Sequence, residues 1–338
     1  MKFIFSCLAF IIIFSIDSLA QDIHLSQFYA SPANLSPSLT GIFKGDYRFV
    51  ANQRSQWRSI TKPNTFNTFG ASLDANGIWN KKNIGSGISI YNDKAGDGDF
   101  STLQINISGS YSKKISSDSS HSIVLGFQSG FTQRNINYNK LMFDNQYTGK
   151  YFDPNISNQE NFNTNNLKYL NLNAGLSWIF NYSKKLIIIS GLGIFNINKP
   201  KQSFFGSSET TLDRRFNLFT QANFAVSEKL ILMPGTLHVF QGKYKENLLG
   251  SNFKYILNAH ENNFRAINFG IWTRAKDAGF LSLGMDYDNI TAGISYDITT
   301  SKLNNASNYK GGFEFSLIYI ITKFKPTITK QKLCPSFI

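Results

Sequence analysis

The sequence predicts an all-β protein, a single transmembrane antiparallel β-barrel of about 14 strands of the outer-membrane type. Three observations predict it. Apolar and polar residues alternate with period two, in segments that reach the roughly 9–11 residues of a tilted spanning strand. The polar face of these segments is rich in Asn, Gln, Ser, Thr and Gly, which suits a barrel lumen better than a freely solvated face. After residue 20, no apolar run reaches the roughly 20 residues of a spanning helix.

The composition excludes several other classes of protein. Aromatic residues make up 15% of the 338 residues, and charged residues only 16%, against roughly 25% in soluble domains. Such a chain is too aromatic to be disordered, and it has neither a fixed repeat period nor a sustained heptad. A soluble β-sandwich remains the other architecture that the alternation allows.

The first 20 residues have the features of a secretory signal peptide. Lys2 precedes an apolar stretch, and Ser18 and Ala20 supply the small residues that a signal peptidase requires. We therefore expect residues 1–20 to be removed, which leaves the formal charge of +13 unchanged because one Lys and one Asp leave with them. Cys334 is then the remaining cysteine, which excludes an intramolecular disulfide and a cysteine metal cluster.

The predicted strands follow one another through residues 46–321. In residues 102–111, for example, Leu103, Ile105 and Ile107 share one face and alternate with polar residues on the other. The predicted strand centres are Phe49, Ala71, Ile88, Ile105, Gly126, Ala174, Gly191, Gln221, Leu237, Phe253, Phe269, Leu283, Ile294 and Phe315. Aromatic residues near segment ends, among them Trp178 and Trp272, are expected in the interfacial girdles of the barrel.

The lengths of the connections predict the orientation of the barrel. Long connections follow odd-numbered strands, at residues 55–65, 135–168, 196–214 and 299–311. Connections after even-numbered strands are mostly short, with residues 74–83 as the longest. Because such barrels have short periplasmic turns and longer outer loops, both termini are expected in the periplasm. Residues 21–45 then form a periplasmic leader or plug, and residues 322–338 form a periplasmic tail.

Four short blocks of residues stand out from the alternating pattern. They lie in the leader, in and after the first strand, after the third strand, and at the C-terminal end. The residues concerned are Ser26, Gln27, Phe28, Tyr29, Pro32, Pro37, Gly41, Arg48, Asn52, Arg54, Gln56, Trp57, Asp93, Gly96, Cys334 and Pro335. In these blocks the chain resembles the PorP/SprF family, the outer-membrane barrels of the type IX secretion and gliding apparatus of Bacteroidetes.

The resemblance implies a function that is not enzymatic. SprF-like members serve the export or surface attachment of large adhesins with a C-terminal sorting domain. PorP-like members associate with periplasmic ring and peptidoglycan-binding lipoproteins. We expect the four blocks to contact such partners or the plug, and the wall to contact outer-membrane lipid. The other function to be weighed is an outer-membrane channel or transporter for small apolar solutes, which the polar inward faces disfavour.

No catalytic, cofactor or metal site is predicted. The His residues have no metal-ligand spacing, and no nucleophile-elbow pattern is present. Asp93, Asp97 and Asp99 do not match a calcium-binding loop and are expected in a turn. Lys and Arg are spread over turns and loops, which indicates contact with anionic lipopolysaccharide or an acidic partner rather than with nucleic acid. Arg54 and Arg58 flank Trp57, and two interpretations are open. The arginines make a cation–π or carboxylate contact, or they are exposed beside a Trp of the interfacial girdle.

Overall fold

The computed structural model describes residues 22–58, 65–78, 81–96, 98–160, 164–183, 185–204, 210–260, 263–301 and 304–322. The expected signal peptide, Asp97, and the expected tail with Cys334 and Pro335 lie outside these residues. Within the described part of the chain, no helix has the length and apolarity that a membrane crossing requires.

The chain forms a closed barrel in which each strand pairs antiparallel with the next and β14 pairs with β1. The predicted 14-stranded barrel is therefore confirmed, and the soluble sandwich is excluded because the sheet closes on itself. The strands are β1 (Tyr47–Gln56), β2 (Phe66–Ile78), β3 (Lys81–Ala95), β4 (Phe100–Lys114), β5 (His121–Asn135), β6 (Asn166–Ser183), β7 (Leu186–Phe195), β8 (Arg215–Ala225), β9 (Leu230–Gln241), β10 (Tyr244–His260), β11 (Asn263–Arg274), β12 (Ala278–Tyr287), β13 (Ile290–Thr299) and β14 (Lys310–Ile321).

The alternation along each strand places apolar side chains on the outside and polar side chains in the lumen. In β4, Ile107 is 69% exposed, whereas its neighbours Asn106 and Ser108 are buried. Because successive side chains of a strand point to opposite faces, this pattern repeats around the barrel. An exposed apolar wall around a polar interior is the arrangement that a lipid environment requires.

The connections define two different ends of the barrel. The longest connections, residues 57–65, 136–165, 196–214 and 300–309, follow β1, β5, β7 and β13, and we call their side the long-loop end. Connections after even-numbered strands lie at the opposite, short-turn end. The prediction of a connection over residues 74–83 is wrong, since only residues 79–80 separate β2 from β3. The turn is short because residues 74–78 and 81–83 extend the paired strands rather than joining the connection.

Two residues lie elsewhere than predicted. Asp93 lies inside β3 rather than in the following turn, because β3 continues to Ala95 and pairs with β2 and β4 up to that end. Trp272 is 3% exposed and faces the lumen rather than an outer girdle. It faces inward because Tyr29 and Phe280 stack on its indole ring there. Trp178, in contrast, is exposed on the outer wall as expected.

Residues 22–45 lie inside the barrel, and we call them the plug segment. They form two single 3₁₀ turns, Phe28–Ala30 and Pro37–Leu39, on either side of the short helix α1 (Pro32–Leu35). Pro32 and Pro37 each begin a helical turn, where a missing N–H removes no hydrogen bond and the fixed φ favours the helix. The two prolines therefore help to fix the path of the segment.

The plug segment spans the lumen instead of closing only one mouth. Gly41 contacts Asp74 near the short-turn end, whereas Asp22 contacts Asn196 and Gln241 at the long-loop end. This differs from the expectation of a leader confined to the periplasmic mouth, with an N-terminus on that side. The chain crosses the lumen because the inward faces offer hydrogen-bond partners along its whole length.

Candidate functional site

The plug segment and the lumen wall around it form the candidate functional site. At the short-turn end, Arg48 binds Asp74 through two hydrogen bonds, Nε–Oδ1 at 3.0 Å and Nη2–Oδ2 at 2.7 Å. The same guanidinium donates to the Leu39 carbonyl oxygen at 3.0 Å, and the Gly41 N–H donates to Asp74 Oδ2 at 2.7 Å. Gly41 has φ +72°, which favours glycine. This ion pair therefore fixes the chain where it turns into β1.

Glycines on the inward faces of neighbouring strands let the plug segment approach the wall closely. A Cβ atom at Gly126 would lie 2.2 Å from the Ser38 nitrogen, and one at Gly175 would lie 2.3 Å from Ser36 Oγ. Because real Cβ atoms do not approach other atoms so closely, any larger residue would push the plug segment away. These glycines make room for the 3₁₀ turn at Pro37–Leu39.

Hydroxyl and amide groups of the wall bind the backbone and side chains of the plug segment. Ser38 Oγ lies 2.6 Å from Ser177 Oγ on β6, and Thr40 Oγ1 donates to Ser108 Oγ on β4 at 2.9 Å. On β8, Asn217 donates from Nδ2 to the Leu35 carbonyl oxygen at 3.0 Å. The polar lumen predicted from the sequence thus supplies hydrogen-bond partners for the polar groups of the plug segment.

The apolar residues of the plug segment form a small core with one side of the lumen. Phe28, Leu35 and Leu39 pack in one cluster with Phe219, Leu237, Val239, Leu248, Trp272 and Phe280 of the wall. Tyr29 stacks on Trp272 with a centroid distance of 5.4 Å, and burial raises the pKa of Tyr29 to about 12. Burial of these side chains away from water holds the plug segment against strands β8–β12.

A cluster of buried charges holds the other part of the plug segment. Arg54 Nη2 lies 2.8 Å from Asp297 Oδ2, and Arg274 lies 3.1 Å from Glu246 and 3.3 Å from Asp297. Glu314 lies 3.7 Å from Arg54, and all five side chains are at most 4% exposed. Each charge is paired, as burial in a low-dielectric interior requires.

The plug segment completes this cluster with its own backbone. The N–H groups of Ser26 and Gln27 donate to the two carboxylate oxygens of Glu314 at 2.7 and 2.9 Å. Ser26 Oγ donates to Asp297 and accepts from Arg274 Nη2 at 2.7 Å. Ser26 is therefore the residue through which the plug segment binds strands β11, β13 and β14 together.

His24 lies beside these arginines at the N-terminal end of the plug segment. Burial, and then the positive charges of Arg54 and Arg274, lower the pKa of His24 well below its ordinary value of 6.5. A neutral imidazole is therefore favoured at this position in the folded protein.

A cavity of about 350 Å³ opens above His24 at the long-loop end, and we call it the vestibule. Its floor is Asp22, Ile23 and His24, and its wall includes Arg134 and Arg215. Asp22 accepts hydrogen bonds from Asn196 at 2.7 Å and from Gln241 at 3.1 Å, which closes the lumen below. The vestibule is a concave, mixed polar and aromatic surface that faces the long loops.

Most residues of the four sequence blocks meet around the plug segment. Ser26 to Gly41 belong to it, Arg48, Asn52 and Arg54 bind it from β1, and Gln56, Trp57 and Asp93 line the vestibule. Gly96 lies apart in a turn with φ +68°. Arg54 contacts carboxylates rather than Trp57, whose ring packs on Phe66 at 4.9 Å.

The charged partners of these blocks were not predicted from the sequence. Asp74, Glu246, Arg274, Asp297 and Glu314 are charged residues at inward positions of faces that carry few other charges, such as the face that Glu246 shares with Lys254 on β10. That isolation is the signal that could have identified them. Among the described residues, no three His, Cys, Asp or Glu side chains are grouped as ligands for a metal ion.

The fold and its lumen define an outer-membrane β-barrel with a plug formed by its own N-terminal segment. The family model of the type IX secretion system membrane protein PorP/SprF matches residues 17–319. The chain therefore belongs to the PorP/SprF family, as a membrane component of type IX secretion in the outer membrane.

Solved structures with a similar architecture are outer-membrane barrels. The toluene transporter TbuX of Ralstonia pickettii has 9% identity and a TM-score of 0.49, over 85% of this chain and 92% of that chain. A Pseudomonas aeruginosa FadL homologue has 11% identity and a TM-score of 0.47, over 86% and 94% of the two chains. Such similarity concerns architecture and assigns no substrate to this chain. No curated protein matches the sequence.

Proposed function

We propose that this protein is a non-enzymatic docking barrel of the type IX secretion and gliding apparatus. Its long-loop face supports the export or surface attachment of a large adhesin with a C-terminal sorting domain. Its short-turn face, with the C-terminal tail, links the barrel to periplasmic ring and peptidoglycan-binding lipoproteins. The observation that carries the proposal is the plug segment, which fills the lumen from Asp22 to Gly41.

A lumen filled in this way favours docking over conduction. The plug segment is bound by side chains on opposite walls, including Ser177 of β6, Asn217 of β8 and Glu314 of β14. Displacing it would expose Phe28 and Leu35 and leave several buried polar groups without partners, which costs about 1–3 kcal/mol for each such group. A rigid closed barrel presents two fixed faces to its partners without opening.

The long-loop face has the features of a binding surface. The vestibule lies at the end of the barrel where the connections after β5 and β7 begin, and Asn196 belongs to its lining. Its wall combines the rings of Phe100 and Tyr169 with the guanidinium groups of Arg134 and Arg215. Aromatic and Arg side chains at a concave surface are the residues that protein interfaces favour. This face supports the proposed contact with a secreted protein.

A channel for small apolar solutes is the second candidate function. One observation favours it, namely a cavity of about 280 Å³ between the plug segment and strands β8–β14, beside Tyr29, Met233 and Trp272. Asn252 and Asn268 also line this cavity, so its wall is only partly apolar. A solute would have to move the plug segment to pass from there to the vestibule.

Affinity purification of the tagged protein from detergent-solubilised outer membrane tests the docking role, with partners identified by mass spectrometry. We expect a large secreted protein with a C-terminal sorting domain, periplasmic lipoproteins, or both. A variant in which residues 142–160 are replaced by a short Gly-Ser linker should lose the secreted protein and keep the lipoproteins. A barrel recovered without partners, which conducts ions in planar bilayers, would instead support the channel.

A further inference from the structure

The outer wall of strands β7–β10 carries a group of neighbouring polar side chains in a wall that is mostly apolar. We call these residues the lateral polar patch: Ser190, Thr220, Thr236, His238, Asn247 and Ser251. They face outward, because their neighbours along the strands, such as Leu237, Val239 and Leu248, are buried in the lumen. The patch therefore belongs to the surface that faces lipid.

The patch is continuous across the strands. Thr220 of β8 is opposite Thr236 of β9, and His238 of β9 is opposite Asn247 of β10. Hydrogen bonds link its members: Ser190 Oγ lies 3.0 Å from Thr220 Oγ1, and His238 Nδ1 lies 2.7 Å from Asn247 Oδ1.

Strands β12–β14, which follow β11 in the barrel, have an apolar outer surface. The outward residues of β12 are Leu281, Leu283, Met285 and Tyr287, which are 45–53% exposed. The outward residues of β13 and β14 are likewise apolar or aromatic, and Phe313 is 49% exposed. Single polar residues face outward elsewhere, namely Gln53 between Phe69 and Phe315 and Ser129 between Ile107 and Leu172. Their cross-strand neighbours are apolar, whereas residues of the patch adjoin one another.

The patch lies within the apolar belt rather than beyond it. Leu218, opposite His238 on β8, is 51% exposed, and Phe240, two residues nearer the long-loop end than His238, is 40% exposed. Hydrocarbon offers no hydrogen-bond partners, so outward polar side chains at this depth are unfavourable against lipid. A surface of this kind is stable when another protein covers it.

A defect in the sheet coincides with the patch. Pairing between β8 and β9 is regular up to Gln221 opposite Gly235 and resumes only at Phe224 opposite Leu232. Pro234 lies in this interval and has no N–H to donate to the ladder, and its other neighbour is Ser251 of the patch. The ladder between β8 and β9 is therefore interrupted beside the patch.

We infer that the lateral polar patch is the interface with a second copy of this chain. Ser, Thr, Asn and His side chains each both donate and accept hydrogen bonds, and the patch carries no Lys, Arg, Asp or Glu, so it is complementary to itself. In a bilayer, a twofold axis along the membrane normal brings the same strands together at the same depth. A copy of the chain is a partner that necessarily presents hydrogen-bonding groups at that depth.

Cysteine cross-linking in outer membranes tests the interface. Thr236→Cys lies in the patch and Leu283→Cys on the apolar outer wall of β12, and both variants also carry Cys334→Ser. With a short bifunctional maleimide, we expect a covalent species of twice the barrel mass for Thr236→Cys, at least fivefold above the yield for Leu283→Cys. Equal yields at the two positions, or a product of another mass, would overturn the inference.

The oligomeric state of purified protein gives a second readout that does not depend on cross-linking. We expect native mass spectrometry to show dimers of the wild type and mostly monomers of the double variant His238→Leu with Asn247→Leu. Heat-modifiable migration on gels verifies that the variant is folded. A wild type that is monomeric in lipid nanodiscs, or a folded double variant that still dimerises, would contradict the proposed interface.

Discussion

Arg54 Nη2 lies 2.8 Å from Asp297 Oδ2 in the lumen, although 243 positions separate the two residues in the sequence. Arg54 is 1% exposed, and its other carboxylate neighbour is Glu314 at 3.7 Å. The pair joins β1 to β13 across β14, at the seam where the barrel closes. The same carboxylates bind Ser26 and Gln27, so closure of the barrel and seating of the plug segment depend on one cluster.

Removing the positive charge at this seam should destabilise the barrel strongly. Arg54→Ala leaves Asp297 and Glu314 buried without their shared partner, and loss of one member of a buried pair costs about 3–5 kcal/mol. Denaturant titration of the folded barrel in lipid vesicles measures this loss as a lower free energy of unfolding. The exposed Arg58→Ala is the matched control, with a change within about 0.5 kcal/mol. Equal effects of the two substitutions would contradict the assigned role of Arg54.

Enlarging a lumen glycine should displace the plug segment. At Gly126 even a Cβ atom would lie 2.2 Å from the Ser38 nitrogen, so Gly126→Val forces the 3₁₀ turn at Pro37–Leu39 away and costs about 1–3 kcal/mol. We expect faster proteolysis of the plug segment and a measurable ion conductance in planar bilayers. Gly109→Val is the control, because a Cβ atom there meets only the Gly85 carbonyl oxygen, at 3.8 Å. A closed, protease-resistant Gly126→Val barrel would refute the close packing at this position.

Loss of the buried indole should loosen the aromatic contact that holds Tyr29. Trp272 packs against Phe28, Tyr29 and Phe280 with centroid distances of 5.3, 5.4 and 6.0 Å, so Trp272→Ala should cost about 3–5 kcal/mol. Trp178→Ala on the outer wall should cost less, because its ring is partly exposed. The free energy of unfolding of the two variants in the same vesicles compares them directly, and a larger loss for Trp178→Ala would be the contrary result.

Acid should weaken the seating of the plug segment through His24. The pKa of His24 is lowered in the folded protein, so below pH 6.5 the unfolded chain binds a proton that the folded chain does not. Above pH 6.5 the imidazole is neutral in both states, and the full stability of the folded protein is present. As the pH drops from 6.5 towards the folded pKa, the free energy of unfolding falls by up to about 1.4 kcal/mol per pH unit. Between pH 7.5 and 5.5, the wild type should therefore lose more stability than His24→Gln. Parallel losses would exclude His24 as the titrating group.

The barrel could be predicted in detail because the pattern that defines each strand lies within the residues of that strand. Each strand repeats a two-residue alternation, visible for example at Leu103, Ile105 and Ile107, and closure needs only enough strands of this kind. Strand ends were less accurate, since Asp93 is polar and next to a glycine-rich turn yet continues β3 as an inward residue. The four blocks were recognisable as a family pattern, but the charged residues that bind them in the lumen were not.

The barrel, its number of strands, its apolar outer wall and its family could all be predicted from the order of the residues. Three features became visible only in the folded barrel: the leader crosses the whole lumen, Trp272 faces Tyr29 instead of lipid, and Arg54 contacts Asp297. The physical reason is the range of the interactions. Alternation reflects the contact of each residue with lipid or lumen, whereas the plug segment has no periodicity and is held by side chains from strands far apart in the chain. Such contacts exist only after the sheet has closed and brought those strands around one lumen.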